Sequence, residues 1–167
     1  VNVMCRLFME LLDDPFAAVD GVLKSHPIGN AVDAVLIDVH GEATSEKMAL
    51  GHVCDGRASL VVGTHTHIPT ADAQVLPGGT AYQSDAGMCG DYDSVIGMKK
   101  ETAIAKFRTK IVTERLAPAR GPASLCGTYV ETDDATGLAA RVSPVVLGGR
   151  LHPAWPAFLP PRATAAE

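Results

Sequence analysis

Three histidines in this chain have the type and spacing of metal ligands. His40 stands at the end of an apolar run, and His65 and His67 are separated by a single residue. A divalent metal needs several lone pairs that converge within about 2.0–2.2 Å, and neutral imidazole is a common donor for zinc, iron and related ions. The His-x-His pair alone is a weak motif, because a solvent-facing loop that happens to hold two histidines accounts for it as well.

The elements around these histidines predict that the side chains meet. The nearly continuous apolar run 31–39 predicts a buried strand of an α/β sheet that ends at His40. A helix predicted over 44–53, capped by its first threonine or serine, leads to a strand over 58–62, from which the His-x-His loop leaves. Strand, helix and strand in this order bring parallel strands together with their C-terminal ends on one side. We therefore expect His40 and the His-x-His loop on one rim of the sheet, where open α/β sheets usually place their sites.

Two acidic residues flank His40, and the sequence gives neither a firm role. Asp38 precedes the histidine by two residues and could orient an imidazole or simply face another strand. Glu42 could be a surface charge or a helix-terminus partner. The remaining histidines lack comparable neighbours and are assigned no function; they are His26, His52 and His152.

The rest of the chain predicts one α/β domain over residues 1–150, followed by a proline-rich and flexible tail over 151–167. The sheet is expected to continue in antiparallel form through a hairpin at a Pro-Gly-Gly turn. The further predicted elements are a strand over 1–5, helices over 15–25 and 99–109, and a second hairpin with strands over 125–132 and 138–147.

Composition excludes several classes of function. The net charge of −5 and the lack of a Lys/Arg cluster argue against a protein that grips long nucleic acids, while a small anionic substrate remains open. No apolar stretch approaches the roughly 20 residues that span a bilayer, and no export signal opens the chain, which predicts a cytoplasmic protein without a membrane partner. The four cysteines lie far apart and are expected to be reduced thiols. No nucleophile elbow surrounds any serine.

Several segments together resemble one family, the YmdB-like metallophosphoesterases of the calcineurin-like phosphoesterase superfamily. The matching segments include His40-Gly41-Glu42-Ala43-Thr44-Ser45-Glu46-Lys47, Gly63-Thr64-His65-Thr66-His67 and Asp85-Ala86-Gly87-Met88, and the likeness extends to roughly Lys110. The resemblance implies a sandwich of mixed β-sheets flanked by helices. It also implies a dinuclear centre of two iron or manganese ions, with zinc as a further option, that hydrolyses phosphodiesters such as 2′,3′-cyclic nucleotides.

Carried over by position, the resemblance makes His40 and His65 ligands of one metal and His67 a ligand of the other. The family's first aspartate, its bridging Glu-Asn pair and its Gly-Asn-His segment with the general-acid histidine all precede the residues that match Val1. We therefore expect this chain to be the C-terminal part of such an enzyme, weakly active or inactive alone, and assign no catalytic residue in it. Gly41 stands where the family pattern has alanine.

Two other classes of function stay open at this point. The first is a non-catalytic structural or regulatory module that binds one metal or none. The second is a metal-dependent hydrolase that acts on amides, which shares the imidazole ligands but not the extended family likeness. A homo-oligomer is also open on the sequence alone.

Overall fold

The computed structural model describes residues 1–111 and 114–161. Its helices and strands, in chain order, are β1 (Asn2–Met4), α1 (Pro15–Ser25), β2 (Leu36–His40), α2 (Thr44–Cys54), β3 (Leu60–Thr64), β4 (Gln74–Val75), β5 (Ala81–Gln83), β6 (Gly90–Asp91), α3 (Lys100–Thr109), β7 (Ala123–Thr132) and β8 (Ala139–Leu147).

The larger sheet has the strand order β1-β2-β3-β5-β4. Neighbours from β1 to β5 are parallel, and β4 runs antiparallel to β5. The predicted crossover is confirmed, since β2 and β3 pair in parallel with His40 opposite Thr64. The predicted hairpin at the Pro-Gly-Gly turn is confirmed as well, because this turn joins β4 and β5.

Helices α1 and α2 cover one face of the larger sheet. Asp14 caps α1, with its side chain accepting a hydrogen bond from the Phe16 amide at 2.9 Å. The predicted cap of α2 is wrong: Ala43 occupies the N-cap position, with no side-chain cap bond, and Thr44 is the first helical residue. Glu46 instead turns its carboxylate to the amides of Arg6 and Leu7, which fastens the chain after β1 to the start of α2.

Side chains along the strands of the larger sheet point alternately to its two faces, and each face packs against its own hydrophobic cluster. Ile37, Val39 and Val61 are fully buried and pack with the helices. Leu60 and Val62 point the other way and pack with residues of the β7–β8 hairpin. This alternation follows from the period of two along a strand, and it yields helices, mixed sheet and antiparallel sheet as successive layers. The predicted α/β class with sheets flanked by helices is thereby confirmed.

The smaller sheet is antiparallel, with the order β6-β7-β8. Both strands of its hairpin were predicted. Downstream of β8, Ala154 exchanges two backbone hydrogen bonds with Val146, and the Phe158 ring lies 5.6 Å from that of Tyr129. The tail boundary at residue 150 and its flexibility stay predictions, and residues 162–167 lie outside the described residues.

Strand β2 begins later than the apolar run suggests. The run predicts a strand from residue 31, but β2 starts at Leu36. The preceding residues close a tight turn instead, because the amide of Gly29 donates to the carbonyl of Val32 at 2.8 Å. In the described part of the chain, no helix is long and apolar enough to cross a membrane.

Candidate metal centre

The parallel pairing of β2 and β3 places two of the three predicted ligands side by side. His40 is the last residue of β2, and its register partner Thr64 is the last residue of β3. His65 therefore leaves the sheet directly beside His40. The Nδ1 atom of His65 lies 3.1 Å from the Nε2 atom of His40, and the rings are nearly perpendicular with centroids 4.8 Å apart. The prediction that these histidines share a rim is confirmed.

The opposite nitrogen of His40 is held by side chains of the sheet. Its Nδ1 atom lies 3.0 Å from the hydroxyl oxygen of Thr64. That hydroxyl donates to Oδ1 of Asp38 at 2.8 Å, and the other carboxylate oxygen accepts from the side-chain amide of Asn2 at 2.8 Å. Asp38, which the sequence left without a role, thus lies at the far end of a chain of hydrogen bonds that reaches His40.

The loop that carries His65 and His67 has an uncommon backbone. Both histidines have positive φ, 103° and 69°, a region that residues other than glycine rarely adopt. The residue between them explains how this shape is held. Oδ2 of Asp85 accepts hydrogen bonds from both the amide of Thr66 at 3.0 Å and its hydroxyl at 2.7 Å, which pins the middle of the loop.

Asp85 belongs to a buried ion pair beneath the loop. Lys47 in α2 approaches Oδ2 of Asp85 at 3.2 Å, and the two side chains are 1% and 2% exposed. The lysine also donates to the carbonyl of Thr64 at 3.3 Å, and the amide of Gly87 donates to Oδ1 of Asp85 at 2.9 Å. A buried charge is tolerated only with an opposite charge and hydrogen bonds, and this pair has both. It joins α2, the end of β3 and the histidine loop.

His67 contacts a different part of the chain from His40 and His65, the loop that contains Ile96. Its Nδ1 atom lies 2.9 Å from the carbonyl oxygen of Ile96. A carbonyl oxygen can only accept, so Nδ1 of His67 donates in this contact, and in the neutral ring Nε2 is the nitrogen with the lone pair. The hydroxyl of Tyr92 donates to the carbonyl of His67 at 3.0 Å, and burial raises the pKa of this tyrosine, which keeps it a neutral donor.

Two neighbours complete the surroundings of His40 and His65. Oε2 of Glu42, a half-exposed residue, lies 3.3 Å from Nε2 of His65. Gly41 fits tightly against the chain after β1, because a Cβ atom at position 41 would lie 2.5 Å from Cβ and 2.6 Å from Sγ of Cys5. The backbone next to His40 therefore lies too close to Cys5 for any residue larger than glycine at position 41.

Sequence reasoning missed Lys47 and Asp85, although a signal for Lys47 was present. The buried residues of α2 are Lys47, Leu50, Gly51 and Cys54. This is the i, i+3, i+4, i+7 pattern of a core-facing stripe, and a lysine at its first position indicates a buried charge that needs a partner. Nothing comparable in the sequence marks Asp85 as that partner.

A comparison of the whole chain with protein families decides the membership. The family model described as YmdB-like protein matches residues 1–145. This chain belongs to that family. The YmdB-like chain is 44% identical over 147 residues to a 2′,3′-cyclic-nucleotide 2′-phosphodiesterase of Bacillus subtilis (strain 168), an alignment that covers 88% of this chain and 54% of that protein.

Solved structures resemble the YmdB-like chain to a similar extent. The crystal structure of a hypothetical protein from Thermus thermophilus matches with a TM-score of 0.81 and 47% identity, over 90% of this chain and 57% of that one. A phosphatase structure from Mycoplasma pneumoniae matches with a TM-score of 0.77 and 30% identity, over 88% and 52%. The YmdB-like chain spans about half the length of the proteins it matches.

The facing nitrogens of His40 and His65 fit a shared metal ion. Two nitrogens that each lie about 2.0–2.1 Å from one ion, at an angle of about 90–110°, are roughly 3 Å apart. The two ring nitrogens are 3.1 Å apart and are of a donor type that zinc and iron accept. Within residues 1–111 and 114–161, no group of three or more His, Cys, Asp or Glu side chains is placed to hold a metal ion. The described residues thus offer a pair of donors for one ion, and His67 follows two positions after His65 in the same loop.

Proposed function

We propose that this chain supplies histidine ligands to the dinuclear metal centre of a phosphodiesterase that hydrolyses small phosphodiesters such as 2′,3′-cyclic nucleotides. The approach of His65 Nδ1 to His40 Nε2, at 3.1 Å, carries the proposal, because it forms a two-nitrogen donor set at the rim of a parallel sheet. The similarity to a relative named 2′,3′-cyclic-nucleotide 2′-phosphodiesterase supports the substrate class.

The residues of the chain would have three roles, as ligands of one ion, as a ligand of the other ion and as support for the histidine loop. His40 and His65 would hold one ion, and His67, with its proton on Nδ1, would offer Nε2 to the other. Two iron or manganese ions are proposed, with zinc as the further option. When bound, such ions activate water as Lewis acids and neutralise charge that builds up on the phosphoryl oxygens. Lys47 and Asp85 would keep the histidine loop in its binding shape from below.

The proton for the leaving group has no assigned donor in this chain. The family resemblance places the general-acid histidine, the aspartate and the bridging Glu-Asn pair before the residues that match Val1. Three histidines alone make an incomplete donor set for two ions, so we expect the chain by itself to bind metal weakly and turn over slowly. Its cytoplasmic location and a homo-oligomeric state stay predictions.

Hydrolysis of a chromogenic phosphodiester with added Mn²⁺ tests this proposal. Slow turnover by the chain, lost on His65→Ala and kept on substitution of the remote His152, is the expected result. Turnover that is unchanged by His65→Ala would contradict the role of this histidine. Fast turnover by the chain alone would contradict the dependence on further ligands.

The structural or regulatory alternative has one observation in its favour. No group of three or more candidate ligands is brought together in the described residues. Metal content of the purified protein separates the two functions. About two iron or manganese ions per chain would support the dinuclear centre, whereas one zinc ion or no metal would support the non-catalytic module.

A further inference from the structure

We propose that Asp38 and Thr64 are positioning residues that hold His40 with its ring proton on Nδ1, so that the lone pair of Nε2 faces His65. The inference deepens the proposed function and rests on it, because a ring nitrogen binds a metal ion only through an unprotonated lone pair. Neither residue would touch the metal or the substrate. Their effect would reach the site through the imidazole of His40.

The direction of each hydrogen bond follows from counting protons. The carboxylate of Asp38 can only accept, so the single hydroxyl proton of Thr64 is used in the 2.8 Å bond to Oδ1. The oxygen of Thr64 then has no proton left for His40. The 3.0 Å contact between this oxygen and Nδ1 is a hydrogen bond only if Nδ1 donates. In the neutral ring, Nε2 is therefore the nitrogen with the free lone pair.

The fold makes this arrangement rigid, since every member lies on a strand. Asp38 and His40 are two residues apart on β2 and point to the same face. Thr64 is the register partner of His40 on β3, and Asn2 is the register partner of Asp38 on β1. The Asn2 amide donates to Oδ2 of Asp38, which fixes the carboxylate from the other side. Three hydrogen-bonded strands thus set the orientation of one imidazole.

The surroundings of His65 make the orientation of His40 consequential. With its lone pair on Nε2, His40 can accept a hydrogen bond from Nδ1 of His65 across 3.1 Å in the metal-free chain. Nε2 of His65 lies 3.3 Å from the carboxylate of Glu42 on the other side of the ring. The same lone pair of His40 Nε2 would be available to a metal ion in place of that proton. The orientation that Asp38 and Thr64 give to His40 thus determines what can lie between the two rings.

Nitrogen-15 NMR of the histidine rings measures the proposed orientation directly. In the metal-free 167-residue chain, at a pH at which the imidazoles are neutral, we expect Nδ1 of His40 to resonate as a protonated nitrogen and Nε2 as an unprotonated one. Thr64→Val removes the hydroxyl at similar volume and should shift His40 towards the other tautomer. Thr64→Ser keeps the hydroxyl and should restore the original pattern.

Thr109→Val is the matched control. It also removes a threonine hydroxyl, but this hydroxyl lies in α3 and donates to the carbonyl of Ala105, so the ring nitrogens of His40 should keep their pattern. A wild-type His40 protonated on Nε2 would overturn the proposal. So would a Thr64→Val spectrum in which the His40 nitrogens are unchanged.

Titration with Zn²⁺ on the same samples gives the second readout. Thr64→Val should weaken Zn²⁺ binding by about 10- to 100-fold, whereas Thr64→Ser should stay within about threefold of the wild type. Equal affinity of the wild type and Thr64→Val would overturn the proposal. If no variant binds Zn²⁺ but the tautomers follow the expected pattern, the positioning by Asp38 and Thr64 stands and the proposed metal function fails.

Discussion

The buried pair of Lys47 and Asp85 should contribute to stability in an asymmetric way. Asp85 accepts hydrogen bonds from Lys47, from the amide and hydroxyl of Thr66 and from the amide of Gly87. Among the described residues, Asp85→Ala leaves the buried ammonium of Lys47 with the carbonyl of Thr64 as its one remaining acceptor, so the free energy of unfolding should fall by about 4–5 kcal/mol. Lys47→Met leaves the carboxylate with three donors and should cost only about 2–3 kcal/mol.

The double variant tests whether these costs belong to one interaction. If the two side chains acted independently, the losses would sum to about 7 kcal/mol. Because the double variant removes both charges at once, we expect a loss of about 5 kcal/mol and thus a coupling of about 2 kcal/mol. Urea unfolding of the wild type, both single variants and the double variant gives all four values.

Lys100 provides the matched control. It pairs with Asp93 at 2.7 Å, but its side chain is 44% exposed, so Lys100→Met should change the free energy of unfolding little. Coupling between Lys47 and Asp85 below about 0.5 kcal/mol would refute the reasoning, because additive losses would mean that the two charges do not depend on each other. A larger loss of unfolding free energy for Lys47→Met than for Asp85→Ala would refute the argument that the carboxylate keeps enough hydrogen-bond donors without the lysine.

Two further predictions concern the core around the site. Gly63→Ala should lower the free energy of unfolding by about 3 kcal/mol or more, because the added Cβ would overlap the carbonyl of Ser84. Gly127→Ala is the control and should change it by less than about 1 kcal/mol, because no atom lies within 4 Å of the added Cβ. Equal unfolding free energies of the two variants would contradict this reasoning. Burial raises the pKa of Cys5 and of Cys54 to about 11, so the stability they contribute holds below about pH 9 and is lost as the pH rises towards 11. The double alanine variant should show a flatter fall in unfolding free energy over this range, and an unchanged slope would rule out the two thiols as its cause.

The meeting of His40 and His65 could be predicted from the sequence because one topological rule decides it. A strand, a helix and a parallel strand put two chain ends on one rim, and the pairing of His40 with Thr64 is the outcome. The three histidines were visible by type alone. Their hydrogen-bond partners were visible only as alternatives, as with Asp38.

The shape of the histidine loop could not be predicted, because a distant residue determines it. Asp85 lies 19 positions beyond Thr66 and 38 beyond Lys47, and no local pattern links these residues. Local propensity favours negative φ for histidine, whereas His65 and His67 adopt positive values around the pinned Thr66. The late start of β2 has a similar origin, since a turn closed by Gly29 competes with the apolar run.

The contact between Cys5 and Gly41 also limits how this family can vary. The space between the two backbones holds one small side chain, which here belongs to position 5. A relative that carries alanine at position 41 must have a smaller residue at position 5 or a wider spacing between the two backbones. Among relatives, a larger side chain at one of these positions should therefore go with a smaller one at the other, so that the residue after His40 depends on one that is 36 positions earlier in the sequence.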